Sequence, residues 1–192
     1  NEVVGKNGAN AISADTKYFS ESAVSWWTTG VDGNEASLGG AAEKLASELT
    51  VYTESGASLI TLNGKTGAQL PAALGADDAT KLSNAKWLMG YDMDSEMGVG
   101  PTGFRKSMGS PIHPQPALMS YGSGDEDFVV FVSNNDGLLH SINVSDGSHN
   151  WAWIPEALLG NVSALRANEG MSFTDAPIYG LDGSWTPVKL AD

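Results

Sequence analysis

The clearest hydrophobic pattern lies between Phe128 and Trp153, FVVFVSNNDGLLHSINVSDGSHNWAW. Phe128 to Val132 is apolar and rich in β-branched residues, which predicts a buried strand. Asn134-Asn135-Asp136-Gly137 follows, with residue types that tolerate the positive φ of a tight turn. Leu138, His140, Ile142 and Val144 recur at period two and are expected on one face of a second strand. Ser145-Asp146-Gly147 predicts the next turn. His149, Trp151 and Trp153 are then expected to share one face of a third strand. Three antiparallel strands leave edges open and cannot bury two tryptophans alone, so this unit is expected to be one of several.

The flanking patterns are weaker. Residues 1–14 are small and polar and predict a linker or a loosely held terminus. From Asp15 the spacing turns helical: Phe19, Ala23 and Trp26 fall at i, i+4 and i+7, Trp27 widens the stripe, and Gly30 ends it. A second short helix is expected after Gly39-Gly40, where Ala42, Leu45 and Leu49 align. Thr50 to Thr53 and Ala57 to Leu62 predict a hairpin around Glu54-Ser55-Gly56, and a tight turn follows at Asn63 to Gly67. A third helix is expected from about Asp78 to Met89, capped by Asp77 or Asp78 and stopped by Gly90. Pro101, Pro111, Pro114 and Pro116 forbid a helix over 101–120 and favour extended chain. Beyond Trp153, Pro155 opens a short helix expected to bend near Gly160. Phe173 to Tyr179 and Trp185 to Leu190 predict a further strand pair.

Composition narrows the partners. Ten Lys and Arg stand against 23 Asp and Glu, for a net charge of −13. That balance argues against nucleic-acid phosphate or an anionic membrane surface as partner. With no cysteine there is neither a disulfide nor a thiolate site. No apolar run approaches the roughly 18 residues of a membrane span. A first residue that is not Met, and a strand expected to begin at Trp185 without a partner after it, lead to the expectation that 1–192 belongs to a longer polypeptide.

Candidate chemistry is sparse. Asp92-Met93-Asp94-Ser95-Glu96 places oxygen ligands at alternate positions, as a hard cation such as calcium requires. Asp92, Asp94 and Glu96 are the candidate ligands. The EF-hand pattern fails, because Met97 occupies its sixth position and Gly103 its twelfth. Arg105 is expected in a structural ion pair and His113 in a structural hydrogen bond. Asp136 and His140 stand four apart but are taken as turn and strand residues rather than catalysts. Asn143-Val144-Ser145 and Asn161-Val162-Ser163 match the glycosylation pattern, which matters only in a eukaryotic secretory pathway. No catalytic triad, phosphate loop or zinc spacing is present.

A repeat carries more information. Asn143, Gly147 and Trp151 are spaced by four, and Asn63 and Gly67 repeat the first two positions with Pro71 where a Trp would stand. Repeated β units of this kind point to a radial repeat such as a propeller. Ser141, Asn143, Asp146, Gly147 and Trp151 resemble the tryptophan-docking repeat of quinoprotein-type β-propellers. An ordered series extends the likeness: Phe19 through Trp26-Trp27, Val31-Asp32-Gly33-Asn34-Glu35, Gly39 to Leu45, Val51-Tyr52-Thr53, Trp87 to Asp92, Arg105, Met108-Gly109, His113, Pro116, Asn135 to His140 and Trp151 to Leu159. Together they resemble the PilY1 family of type IV pilus biogenesis factors and tip adhesins, from about residue 18 onward. Ser110, Pro114 and Met89 depart from the family's aspartate, serine and arginine.

The resemblance implies a mainly β fold with short helices: a partial quinoprotein-like β-propeller preceded by a helical lead-in. Residues 1–100 would form the lead-in with its early hairpin, and residues 101–192 the first blades. It implies a non-enzymatic role in pilus assembly, in opposing retraction and in cell adhesion, outside the cell at the pilus tip or bacterial outer surface. The implied partners are pilins or minor pilins, the remainder of the propeller, and a host or abiotic surface. Calcium is the cofactor known in the family, although the family's own calcium loop lies later and has no match here. A quinoprotein-type dehydrogenase and an outer-membrane assembly scaffold are the alternatives. The first lacks the adjacent cysteine pair that stacks on a quinone, and pulldown of pilins against barrel components separates the second.

Overall fold

The computed structural model describes residues 2–124, 127–167, 178–181 and 183–188. Its centre is one open, six-stranded mixed sheet. The strands are β1 (Val51–Ser55), β2 (Ser58–Thr61), β3 (Ala117–Ser120), β4 (Phe128–Ser133), β5 (Leu139–Asn143) and β6 (His149–Trp153), in the order β2-β1-β6-β5-β4-β3. From β3 to β6 each strand pairs antiparallel with the next in sequence, which makes a four-stranded meander. The early hairpin β1–β2 adds to its far side, with β1 parallel to β6. Strands from both sides of residue 100 thus share one sheet.

The turns follow the sequence. Gly137 and Gly147 take φ of 91° and 75°, the left-handed conformation in which a Cβ is disfavoured. Asn134 closes the first turn as an Asx residue: its Oδ1 accepts the amides of Asp136 and Leu138, each at 3.1 Å. β5 is covered on both faces, since Leu139, His140, Ser141 and Ile142 are all buried.

Helix α2 (Asp78–Leu88) caps the sheet beside β1 and β6. Asp77 caps its start by accepting the Thr80 amide at 2.8 Å, and Gly90 follows its end at φ 92°. Ala85, Trp87, Leu88 and Met89 pack with Val51, Leu62, Leu138, Ala152 and Ile154 in the core. Leu159 and Val162 join them from a 3-10 turn, Glu156–Asn161, that leads into α3 (Val162–Arg166). The expected helix after Pro155 is therefore two short pieces joined after Asn161, with Pro155 as cap. No described helix is long and apolar enough to cross a membrane.

Two expectations are corrected. Residues 15–30 form no helix; they turn repeatedly and pair only through isolated bridges such as Ile12 with Phe19. The supposed apolar stripe does not face a core, because Phe19 and Trp26 are 57% and 67% exposed. Serine and threonine side chains hold local backbone instead, as where Gly40 donates its amide to Ser25 Oγ (2.7 Å) and Thr28 Oγ1 (2.9 Å). The second helix is shorter than expected: α1 spans only Gly40–Lys44, and Leu45 and Leu49 reach the core from the chain beyond it. Of the expected strand pair over Phe173 to Tyr179 and Trp185 to Leu190, residues 178–179 and 185–188 are described and form no strand, and the rest lies outside the described residues.

Candidate functional site

The acidic loop contains the predicted ligands. Each carboxylate has a protein partner. Asp92 is wholly buried, and its oxygens accept the amides of Met97 (3.3 Å), Val99 (3.0 Å) and Gly100 (3.2 Å). Asp94 meets the Arg166 guanidinium through both oxygens at 2.5 Å, and that contact holds its carboxyl below the usual range, against the opposing effect of its partial burial. Glu96 lies 3.7 Å from Arg105. Among the described residues no three His, Asp or Glu side chains converge as a metal site requires. A calcium ion on Asp92, Asp94 and Glu96 would have to draw Asp94 from Arg166 and Asp92 from three amides.

Arg105 ties this loop to the sheet. It is 5% exposed, donates to the Trp87 carbonyl at 3.0 Å, and lies over the Trp87 ring at 4.3 Å from its centroid. Its guanidinium also lies 3.7 Å from Asp136 at the β4–β5 turn. Burial pushes the Asp136 carboxyl up, against the pull of Arg105. The expectation of a structural ion pair at Arg105 is met, with Trp87 as an added partner. His113 is exposed on the extended chain, near the Tyr179 ring at 6.2 Å between centroids.

The tryptophan repeat is used in an unforeseen way. The Gly147 turn is covered by Trp27, from the opposite end of the chain. The Trp27 indole N–H donates to the Val144 carbonyl at 2.7 Å, and a Cβ on Gly147 would stand 2.5 Å from Trp27 Cγ. Only glycine admits the ring at that distance. Trp151 instead packs on Phe131 across the sheet, 5.8 Å between centroids. At the upstream copy, Gly67 is covered by the backbone of Asp78, so that turn receives the start of α2 rather than a ring.

A buried polar chain crosses the meander. Asn134 Nδ2 lies 2.9 Å from His140 Nε2, and His140 Nδ1 lies 3.0 Å from His149 Nε2. A register shift beside Ser141 and Ile142 makes this contact possible, because it sets His149 opposite Ile142. Strict alternation would put His149 on the face of Trp151 and Trp153. The bulge turns it to the face of His140, which corrects the expectation that His149, Trp151 and Trp153 share a face. Burial, with His149 beside it, lowers His140 to about 3, and burial alone lowers His149 to about 4. A bulge leaves no plain mark in sequence; the available signal was a histidine at an apolar-face position, Leu138-x-His140-x-Ile142.

His149 also lines an open polar groove of about 260 Å³ with Lys44, Ser47, Glu48 and Asn150. No family model matches this chain, and no match is found among curated proteins or solved structures.

Proposed function

We propose that this chain belongs to a type IV pilus-associated adhesin and assembly factor that acts by binding rather than catalysis. On this reading the β3–β6 meander is one blade of a propeller, and further blades come from the rest of a longer polypeptide. One observation carries the reading. A distant tryptophan lies on the glycine of a β-turn and donates its indole N–H to that turn's backbone. A propeller blade is a four-stranded antiparallel unit, and the β3–β6 meander within the six-stranded sheet has that strand number and pairing. The ordered motif series from Phe19 to Leu159 directs the same reading to the pilus.

The partners would be pilins or minor pilins and the surface to which the pilus attaches, with the protein outside the cell. An excess of 13 negative charges suits that environment better than a polyanionic partner. Calcium remains part of the proposal and is tested by titration. The experiment for function is deletion of the gene, with return of wild-type or Trp27→Ala protein. Loss of surface pili and of adhesion, restored only by the wild type, is the expected result. Intact piliation with a defect in outer-membrane barrel assembly would favour the scaffold reading and overturn this one.

A further inference from the structure

The hydrogens of the buried polar chain can be assigned from its geometry. Asn134 Oδ1 is taken by two backbone amides, so its Nδ2 faces His140 and donates. His140 Nε2 must therefore accept. A neutral His140 then carries its hydrogen on Nδ1 and donates it to His149 Nε2. The Nδ1–H of His149 is left for the groove that the residue lines. Every nitrogen in the line has a fixed role, and both rings must be neutral.

A proton has nowhere to go without breaking a bond. On His149 Nε2 it would face the His140 Nδ1–H; on His140 Nε2 it would face the Asn134 amide. His140 is 1% exposed, so water cannot replace the lost partner while the sheet stays closed. We propose that Asn134, His140 and His149 form an acid-sensitive latch: it holds the β5–β6 ribbon, and the Trp27 segment docked on its turn, at neutral pH and releases them on acidification. The link to Trp27 is direct, since Val144 and Gly147 sit in the turn between the two latched strands. The latch does not depend on the pilus reading.

The surrounding charges are Lys44 and Glu48 along the groove, Asp146 in the β5–β6 turn, and Asp136 with Arg105 beyond Asn134. Among the described residues none hydrogen-bonds a ring nitrogen of either histidine. The sign follows from linkage. Both folded values lie below the ordinary histidine value of 6.5, so the stabilisation is complete above that pH and is lost as pH falls toward about 4 and about 3.

The test is urea unfolding of the whole chain between pH 7.5 and 4.5, wild type against His149→Gln, with the fluorescence difference between wild type and Trp27→Phe, which isolates one of six tryptophans, followed alongside. Gln keeps an acceptor for His140 Nδ1–H and does not titrate. Between pH 6 and 5 the wild-type folding constant is expected to fall by roughly 50-fold, about seven- to eightfold for each histidine. In His149→Gln the fall should shrink to roughly eightfold. Equal slopes in the two proteins would overturn the latch. Nitrogen-15 spectra of the wild type decide even where the variant fails to fold. They should show both imidazoles neutral in the folded protein at pH 5.5, with His140 protonated at Nδ1. A histidine pair that titrates near pH 6.5 in a folded protein with its other signals unmoved would contradict it.

Discussion

Removing the Trp27 ring gives the sharpest test of how the N-terminal segment is held. Trp27→Ala deletes a half-buried indole and the 2.7 Å bond to the Val144 carbonyl. A fully buried aromatic costs about 3–5 kcal/mol on truncation, so a half-buried one costs about 2. The hydrogen bond adds about 1, for a total of about 3 kcal/mol. In a chain of this length that lowers Tm by about 6–12 °C. Gly147→Ala attacks the same contact from the other side. Its φ of 75° alone costs about 1 kcal/mol, and the new Cβ, 2.5 Å from Trp27 Cγ, must expel the ring. Each single variant should therefore lose about 3–4 kcal/mol. The double variant should lose only about 4, because the ring cannot be expelled twice; the coupling is then about 2–3 kcal/mol. Urea unfolding followed by circular dichroism measures all four proteins. Additivity within about 0.5 kcal/mol would refute the docking, since uncoupled sites behave that way.

Three further outcomes are expected. Arg105→Met should cost about 3 kcal/mol, because it strands the partly buried Asp136 carboxylate, and adding Asp136→Asn should restore part of that loss in the same unfolding assay. Arg166→Gln should destabilise more than Asp94→Asn, because Arg166 also donates to Ser83 (2.7 Å) and Asn84 (3.1 Å) while Asp94 is largely solvated; equal effects in thermal melts would count against this. Asp92→Asn plus Asp94→Asn should lower Tm with or without calcium, since Asp92 serves three amides. If the calcium proposal holds, the double variant also loses any calcium-dependent rise in Tm; an unchanged rise removes these residues as ligands.

Local chemistry made much of the fold legible. The turn residues of Asn134–Gly137 and Ser145–Gly147, the period-two strands and the Asp77 cap of α2 act within a few residues of themselves, so their positions could be placed from sequence. The Phe19–Trp26 stripe misled because a helical period says nothing about whether a core faces it, and here local serine and threonine bonds compete with the helix. The bulge in β6 is equally silent, since one inserted residue changes no composition and yet reverses the face of His149. The repeat marked Gly147 and Trp151, but the ring that covers the glycine is Trp27, whose contact spans 117 residues and is reached by no spacing rule. Asp92, Asp94 and Glu96 were visible as a cluster, while their actual partners, Arg166, Arg105 and the loop's own amides, follow from the tertiary fold.

The proposed role requires that this protein bind the pilus. Sheared, washed pili incubated with the purified chain and treated with an amine- or carboxyl-reactive crosslinker test it directly. Crosslinks from this chain to pilins or minor pilins, reduced by Trp27→Ala, are the predicted result. Crosslinking that is absent from pili, and found in envelope extracts only with barrel-assembly components, would contradict it.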